Sequence, residues 1–263
     1  MKKFLVIGNP IDHSLSPKLH SYWIKKNNID ATYEKLKLEE SDLKNLIFQV
    51  KEKKIHGINV TVPFKKSVIP FLDELTLEAK KTQSVNTIYL KNNKILGHNT
   101  DIGGFETSIY KSKIDITNKK VLVLGAGGVA PSIIYALTKM NVSKITLSNR
   151  TKEKAENLKN IFKEINIIKW GELSDFDMII NATSLGLKKE DKLNFDFSLI
   201  NKNKFFYDVI YNPMETNFLK NGKDLGNITI NGKLMFIYQA LLAFKIWHNL
   251  TPNIDEEVLK LLD

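Results

Sequence analysis

The sequence contains no cysteine, which excludes disulfides, thiolate metal sites and a cysteine nucleophile. Its five histidines are scattered without metal-ligand spacing, so a zinc site is not expected. No apolar run is long enough to span a bilayer. The most apolar late stretch, Leu234 to Trp247, is short and is interrupted by Gln239 and Lys245. The opening Met1-Lys2-Lys3 and Phe4-Leu5-Val6-Ile7-Gly8 faintly imitate a secretory leader. The run stops at Asn9-Pro10, too early for a leader's apolar core, and reads as a first strand, so a cytoplasmic protein is expected. Internal repeats and low-complexity segments are lacking. Arginine is nearly lacking: Arg150 is the only one among 39 basic side chains.

What is there is ordinary for a globular chain. With 263 residues, 43% hydrophobic and 26% charged, it can bury one large core or two modest ones. The formal net charge of +10 favours anionic partners. Lysines are spread along the whole chain, with no basic tail and no RNA-binding aromatic motif, so a small acidic ligand is expected in preference to nucleic acid.

Strand and helix patterns alternate. Lys3 to Gly8, Thr32 to Leu38 and Ile58 to Val62 read as strands, with helical patterns at Pro17 to Lys26 and Asp42 to Lys51. Thr87 to Leu90 and Lys94 to Gly97 read as a hairpin across Asn92-Asn93, because asparagine tolerates left-handed turn geometry. Residues 101 to 118 read as a connecting helix that ends in a polar stretch. A second series has strands at Val121 to Leu124, Ile145 to Leu147, Met178 to Ile180 and Phe205 to Ile210, with helices between. Late helices are expected at Leu234 to Trp247 and Glu256 to Leu262. This alternation predicts an α/β fold with parallel sheet and helices on both faces.

At the end of the strand Val121 to Leu124 stands Gly125-Ala126-Gly127-Gly128-Val129-Ala130, a G-x-G-x-x-A run leading into a helix. Gly125 permits the tight turn, Gly127 lets backbone N–H groups approach a pyrophosphate, and Ala130 lets helix and strand pack closely. The phosphates of a dinucleotide then sit on the helix N-terminus. The next strand ends in Asn149-Arg150-Thr151, 24 residues beyond Gly125, where an NAD enzyme carries Asp or Glu for the ribose hydroxyl. A carboxylate would repel a 2′-phosphate, whereas a guanidinium grips it through two hydrogen bonds, so NADP is favoured over NAD. The alternative is a solvated turn in which Thr151 caps the helix Lys152 to Phe162.

A polar set lies in the first half. Ser14 and Ser16 point the same way in an extended segment, although Ser16 before Pro17 also reads as a helix cap. In Ile58-Asn59-Val60-Thr61-Val62-Pro63-Phe64-Lys65, alternation puts Asn59 and Thr61 on one face, with Ile58, Val60 and Val62 packing on the other. Lys65 then emerges past the strand end. Two neutral polar groups and a lysine suit a polyol that carries a carboxylate. Lys65 alone would pass for one more surface lysine, and Asp101 in Asn99-Thr100-Asp101 for a cap of the helix from Ile102.

Taken in order, the S-x-S-P loop, the N-V-T-x-P-x-K strand, V-N-T, N-T-D, the G-A-G-G loop, N-R-T, A-T-S-x-G from Ala182, and the late G-x-x-M-x-x-x-Q helix resemble the shikimate dehydrogenase family over nearly the whole chain. The resemblance implies NADPH-dependent reduction of 3-dehydroshikimate to shikimate, a step of aromatic amino acid biosynthesis. It implies an N-terminal α/β substrate domain and a Rossmann-type NADP domain with a cleft between them. The substrate domain is then residues 1–101 with 233–263, and the NADP domain 102–232. Lys65 and Asp101 match the catalytic pair. Ser14, Ser16, Asn59, Thr61, Asn86, Tyr211 and Gln239 match substrate ligands. Gly125, Ala126, Gly127, Gly128, Val129, Asn149, Arg150, Thr151, Thr183, Gly232 and Met235 match the NADP site. No metal and no membrane is implied, and the assembly is a monomer or homodimer. Departures are the Val129-Ala130-Pro131 continuation of the glycine loop and the segment Asn231 to Leu234. Alternatives left open are an NAD-linked quinate/shikimate dehydrogenase, a folate-linked dehydrogenase on the same scaffold, and a cofactor-sensing module without chemistry.

Overall fold

In the computed structural model, which describes residues 1–193 and 195–262, the chain forms two units: Met1–Gly104 with the segment from Ile237 onward, and Phe105–Phe236. The first unit opens with β1 (Lys2–Gly8), α1 (Ser16–Lys26), β2 (Ala31–Lys37), α2 (Leu43–Lys51) and β3 (Gly57–Val60). Phe4 to Ile7 of β1 are all buried, as expected of a central parallel strand covered on both faces. The stripe Leu43, Leu46, Ile47 and Val50 turns one face of α2 into the core. β4 (Glu74–Leu75), α3 (Leu77–Thr82), β5 (Thr87–Lys91) and β6 (Lys94–His98) follow. The sheet order is β2-β1-β3-β5-β6-β4, with β1 parallel to β2 and β3, and β5 antiparallel to β3 and β6. The hairpin turn holds Asn92 and Asn93 at φ 50° and 59°, as the asparagine pair predicts.

Two sequence expectations change here. β3 ends at Val60, because the chain turns through residues 62 to 68, although the Thr61 N–H still bonds to the Ile7 carbonyl. Val62 is therefore 53% exposed and does not pack beside Ile58 and Val60. The connecting helix, α4 (Asp101–Lys111), stops well before residue 118, where Lys113 takes a left-handed φ of 56°.

The second unit contains β7 (Lys120–Leu124), α5 (Ala130–Lys139), β8 (Lys144–Ser148), α6 (Lys152–Ile161), β9 (Asn166–Ile168), β10 (Met178–Asn181), β11 (Phe205–Asp208), α7 (Asn217–Asp224) and β12 (Ile228–Ile230). Its sheet is entirely parallel in the order β12-β11-β10-β7-β8-β9. This is the doubly wound Rossmann order, and its switch point lies between β7 and β10. The chain continues through α8 (Lys233–His248) and α9 (Glu256–Leu261). The cuts between the units fall inside α4 and α8. Among the described residues no helix is long and apolar enough to cross a membrane.

Candidate active site

Four of the polar residues singled out in the first unit, Asn59, Lys65, Asn86 and Asp101, share one hydrogen-bond network at β3. Lys65 does not emerge on the surface: it is 8% exposed and its Nζ lies 2.5 Å from Asp101 Oδ2. Asp101 is the first residue of α4, and its carboxylate is spent on side chains instead of a helix cap. Its second oxygen, Oδ1, accepts from Asn86 Nδ2 at 2.8 Å. Thr100 donates its backbone N–H to Asn86 Oδ1 at 2.7 Å, and the Asp101 N–H donates to Asn99 Oδ1 at 3.1 Å, which fixes the start of the helix. Asn59 is buried and commits its amide to protein: Oδ1 accepts from the Tyr33 hydroxyl at 2.6 Å, while Nδ2 donates to the Asn86 carbonyl and Thr87 Oγ1.

The serines sit at the start of α1. Ser16 is the first helical residue and Leu15 occupies the cap position, so Ser16 does not cap the helix. Instead Ser14 Oγ accepts the Ser16 backbone N–H at 3.3 Å. Ser16 is buried, and Ser14 and Thr61 are half-buried. Gln239 lies half-buried on α8.

The second unit assembles the remaining residues around the β7–β10 switch point. Gly125 follows β7 at φ +102°, and a Cβ there would meet Thr183 Cγ2 at 2.7 Å, so glycine is required by the turn and by packing against the segment after β10. Gly127 differs: it is exposed, has no left-handed φ, and a Cβ would find only the Ala182 carbonyl at 3.9 Å. The fold itself does not need glycine at 127, but a phosphate close to the backbone does. Gly128 and Val129 continue the loop into α5, whose first turn carries no side-chain cap. Asn149 braces the loop, with Oδ1 accepting the Ala126 N–H at 2.9 Å and Nδ2 donating to the Thr151 carbonyl. Thr151 holds the cap position of α6 without a side-chain cap bond, so the expected capping by its hydroxyl is not made. Arg150 is exposed, and no ion pair among the described residues engages it. No acidic side chain occupies the turn after β8, so the loop, the helix end and the guanidinium fit a dinucleotide that carries an extra phosphate.

Beyond β10 the Thr183 hydroxyl donates to Asn181 Oδ1 at 2.7 Å, and Asn181 Nδ2 donates to Asp208 Oδ1. Asp208 also accepts from the Thr216 hydroxyl and the Ile210 N–H, yet burial pushes its carboxyl up to about 6. This Asn181–Asp208–Thr216 brace is absent from the sequence expectations; a lone aspartate inside the apolar run Phe205 to Ile210 is its only signal. Tyr211 stacks on Phe236 at 4.2 Å, and Met235 is buried one turn before Gln239. Gly232 is required sterically, since a Cβ would lie 2.1 Å from the Val209 carbonyl oxygen. Among the described residues no cluster of three or more His, Asp or Glu could hold a metal ion.

Residues 6–88 match the family of shikimate dehydrogenase substrate binding domains, and residues 108–191 match shikimate/quinate 5-dehydrogenase. The shikimate dehydrogenase (NADP(+)) of Pelagibacter ubique (strain HTCC1062) is 64% identical over 262 residues, covering 100% of this chain and 99% of the relative. The crystal structure of shikimate dehydrogenase from Aquifex aeolicus is 38% identical with a TM-score of 0.91, covering 100% of this chain and 97% of that one. A shikimate dehydrogenase crystallised in complex with NADP+ is 34% identical with a TM-score of 0.92, covering 100% and 94%.

Proposed function

The chain belongs to the shikimate dehydrogenase family, and from that premise we propose that it reduces 3-dehydroshikimate to shikimate, reversibly, with NADPH. The observation that carries the chemistry is the buried Lys65–Asp101 pair. Reduction of a carbonyl adds hydride to carbon and a proton to oxygen. Bound NADPH supplies the hydride. Lys65 supplies the rest: its ammonium stabilises the alkoxide as charge develops and donates the proton. Asp101 holds that ammonium in one direction, and Asn86 and Asn99 hold Asp101 and its backbone in turn.

Residues 1–101 with 233–263, joined by Tyr211, take the substrate in this reading, with Ser14, Ser16, Asn59, Thr61, Asn86, Tyr211 and Gln239 about its hydroxyls and carboxylate. Residues 102–232, joined by Met235, hold NADP: Gly125 to Val129 take the pyrophosphate, Asn149 to Thr151 the phosphorylated ribose, and Thr183, Gly232 and Met235 the nicotinamide end. The enzyme works in the cytoplasm as a monomer or homodimer.

The test is absorbance at 340 nm with purified protein, shikimate or quinate, and NADP+ or NAD+. Rapid reduction of NADP+ with shikimate alone is expected. Preference for quinate or NAD+ would move the assignment to the NAD-linked relative, and a folded protein silent in all four combinations would remove the dehydrogenase reading.

A further inference from the structure

A buried run of hydrogen bonds leads from β2 to the acid pair with every bond pointing the same way, and Thr100 ties in beside Thr87 and Asn86. The Tyr33 hydroxyl donates to Asn59 Oδ1 at 2.6 Å. Asn59 Nδ2 donates to Thr87 Oγ1 at 3.3 Å, and Thr87 Oγ1 donates to Asn86 Oδ1 at 3.0 Å. Asn86 Nδ2 then donates to Asp101 Oδ1 at 2.8 Å, while Lys65 takes the other carboxylate oxygen. All six side chains are buried. Successive donors in a low-dielectric interior polarise one another, so such a line is stronger than its bonds taken singly.

Its direction is fixed at both ends. The carboxylate can only accept. At the other end Asn59 cannot turn its amide over, because Oδ1 would then face the Asn86 carbonyl, to which Nδ2 now donates at 3.1 Å. Tyr33 is held just as firmly. It sits opposite Phe4, which sits opposite Gly57, two residues before Asn59, so its ring reaches diagonally over β1 to β3. The His20 ring lies flat on the Tyr33 ring at 4.1 Å and 2°. Burial drives the His20 imidazole down to about 3, so the plate against Tyr33 is neutral throughout the working pH range. Trp247 fills the space beside them that a side chain at position 57 would take: a Cβ there would lie 2.3 Å from its Nε1.

We propose that Tyr33 is a positioning residue for the reaction: its hydroxyl heads the Asn59–Thr87–Asn86 line and, through it, sets the carboxylate that orients Lys65. This rests on Lys65 and Asp101 being the acid pair proposed above. Thr87 is the middle link, a second residue placed in the reaction through another.

The experiment is a double-mutant cycle with Tyr33→Phe, which keeps the ring and the stack, and Thr87→Val, which keeps the shape and removes the middle donor. Each single variant is expected to lower kcat for shikimate oxidation about three- to tenfold, with KM for NADP+ unchanged. The double variant is expected to lose less than the product of the two singles, because both act on Asn86 and Asp101 through shared bonds. A kcat for Tyr33→Phe within twofold of wild type overturns the proposal. So does a double variant whose loss equals the product of the two singles, which is the behaviour of unconnected packing defects. A wild-type protein inactive on shikimate with NADP+ is the failure of the functional reading instead. The same cycle then reads the line through thermal unfolding: a Tm cost of Tyr33→Phe as large in the Thr87→Val background as in wild type disproves the connection.

Discussion

Lys65 Nζ and Asp101 Oδ2 lie 2.5 Å apart, with their side chains only 10% and 8% exposed. Two charges so far out of water are tolerated because they face each other and because Asn86 completes the carboxylate. Removing either one is costly in a different way. Lys65→Ala is expected to lower kcat about 10²- to 10⁴-fold, the usual worth of a general acid, with a smaller change in KM for shikimate. Asp101→Asn leaves a buried ammonium without its counter-charge and is expected to cost about 3 kcal/mol of stability as well as activity. Steady-state kinetics and urea unfolding of the two variants check this; a Lys65→Ala enzyme within threefold of wild type in kcat would take the lysine out of the chemistry.

Arg150 offers a planar cation on a turn that contains no acidic side chain. Arg150→Gln is expected to raise KM for NADP+ about 10- to 100-fold, corresponding to about 1.4–2.7 kcal/mol for a charge-assisted pair, and to leave the much weaker use of NAD+ unchanged. An equal loss with both nucleotides would mean that the arginine does not read the 2′-phosphate.

The two glycines of the cofactor loop are expected to separate folding from binding. Gly125→Ala forces a side chain into a φ of +102° and against Thr183, so it should lower Tm and weaken NADP+ together. Gly127→Val puts a Cβ no closer than 3.9 Å, to the Ala182 carbonyl, and should leave Tm within a degree or two of wild type while NADP+ affinity falls at least tenfold. Titration of NADP+ by intrinsic fluorescence, alongside thermal melts, distinguishes them. Unchanged affinity in Gly127→Val would contradict a phosphate against that backbone.

Asp208 gives stability a defined pH dependence. Burial raises its carboxyl to about 6, against 3.8 ordinarily, so the folded chain binds this proton more tightly than the unfolded chain does. Ionisation therefore works against the fold: the loss sets in as pH rises past about 4, accumulates to about 6 and amounts to about 3 kcal/mol. Asp208→Asn should lack that slope. The buried His20 and the half-buried His248, lowered to about 3 and about 4, contribute with the opposite sign but equally in both proteins, so they cancel in the comparison. Urea unfolding of both proteins at several pH values from 4 to 7 measures the difference; parallel curves would show that the carboxyl titrates normally.

Much of this was legible because strong local patterns survive folding. The apolar run of β7, the glycines after it and the stripe on α2 announce themselves at short range. What escaped notice depends on distant partners. α7 contains Asn221 and Gly222, poor helix formers, and Gly222 lies against the Phe206 ring, where a Cβ would meet the ring at 2.6 Å. β9 and β12 are three-residue edge strands whose identity comes from the neighbours they pair with. The strand through Asn59 read as two residues too long because alternation continues past Val60 into residues where the chain already turns. Nothing in the sequence marks Tyr33, whose hydroxyl reaches a residue 26 positions away.

The return of the chain to the first unit through α8 has a consequence for biosynthesis. Trp247 packs on Phe4, His20 and Tyr33, takes the place of a side chain at Gly57, and bonds to the Ile88 carbonyl across 159 residues. A ribosome delivers residues 1–104 first, but the tryptophan that seals their aromatic core is translated only after the whole second unit. Residues 105–236 carry a sheet of their own and can fold while the N-terminal segment still waits. The part of the protein made first is thus completed only after the second unit has been translated, and a message truncated before the Trp247 codon would leave that aromatic core unsealed.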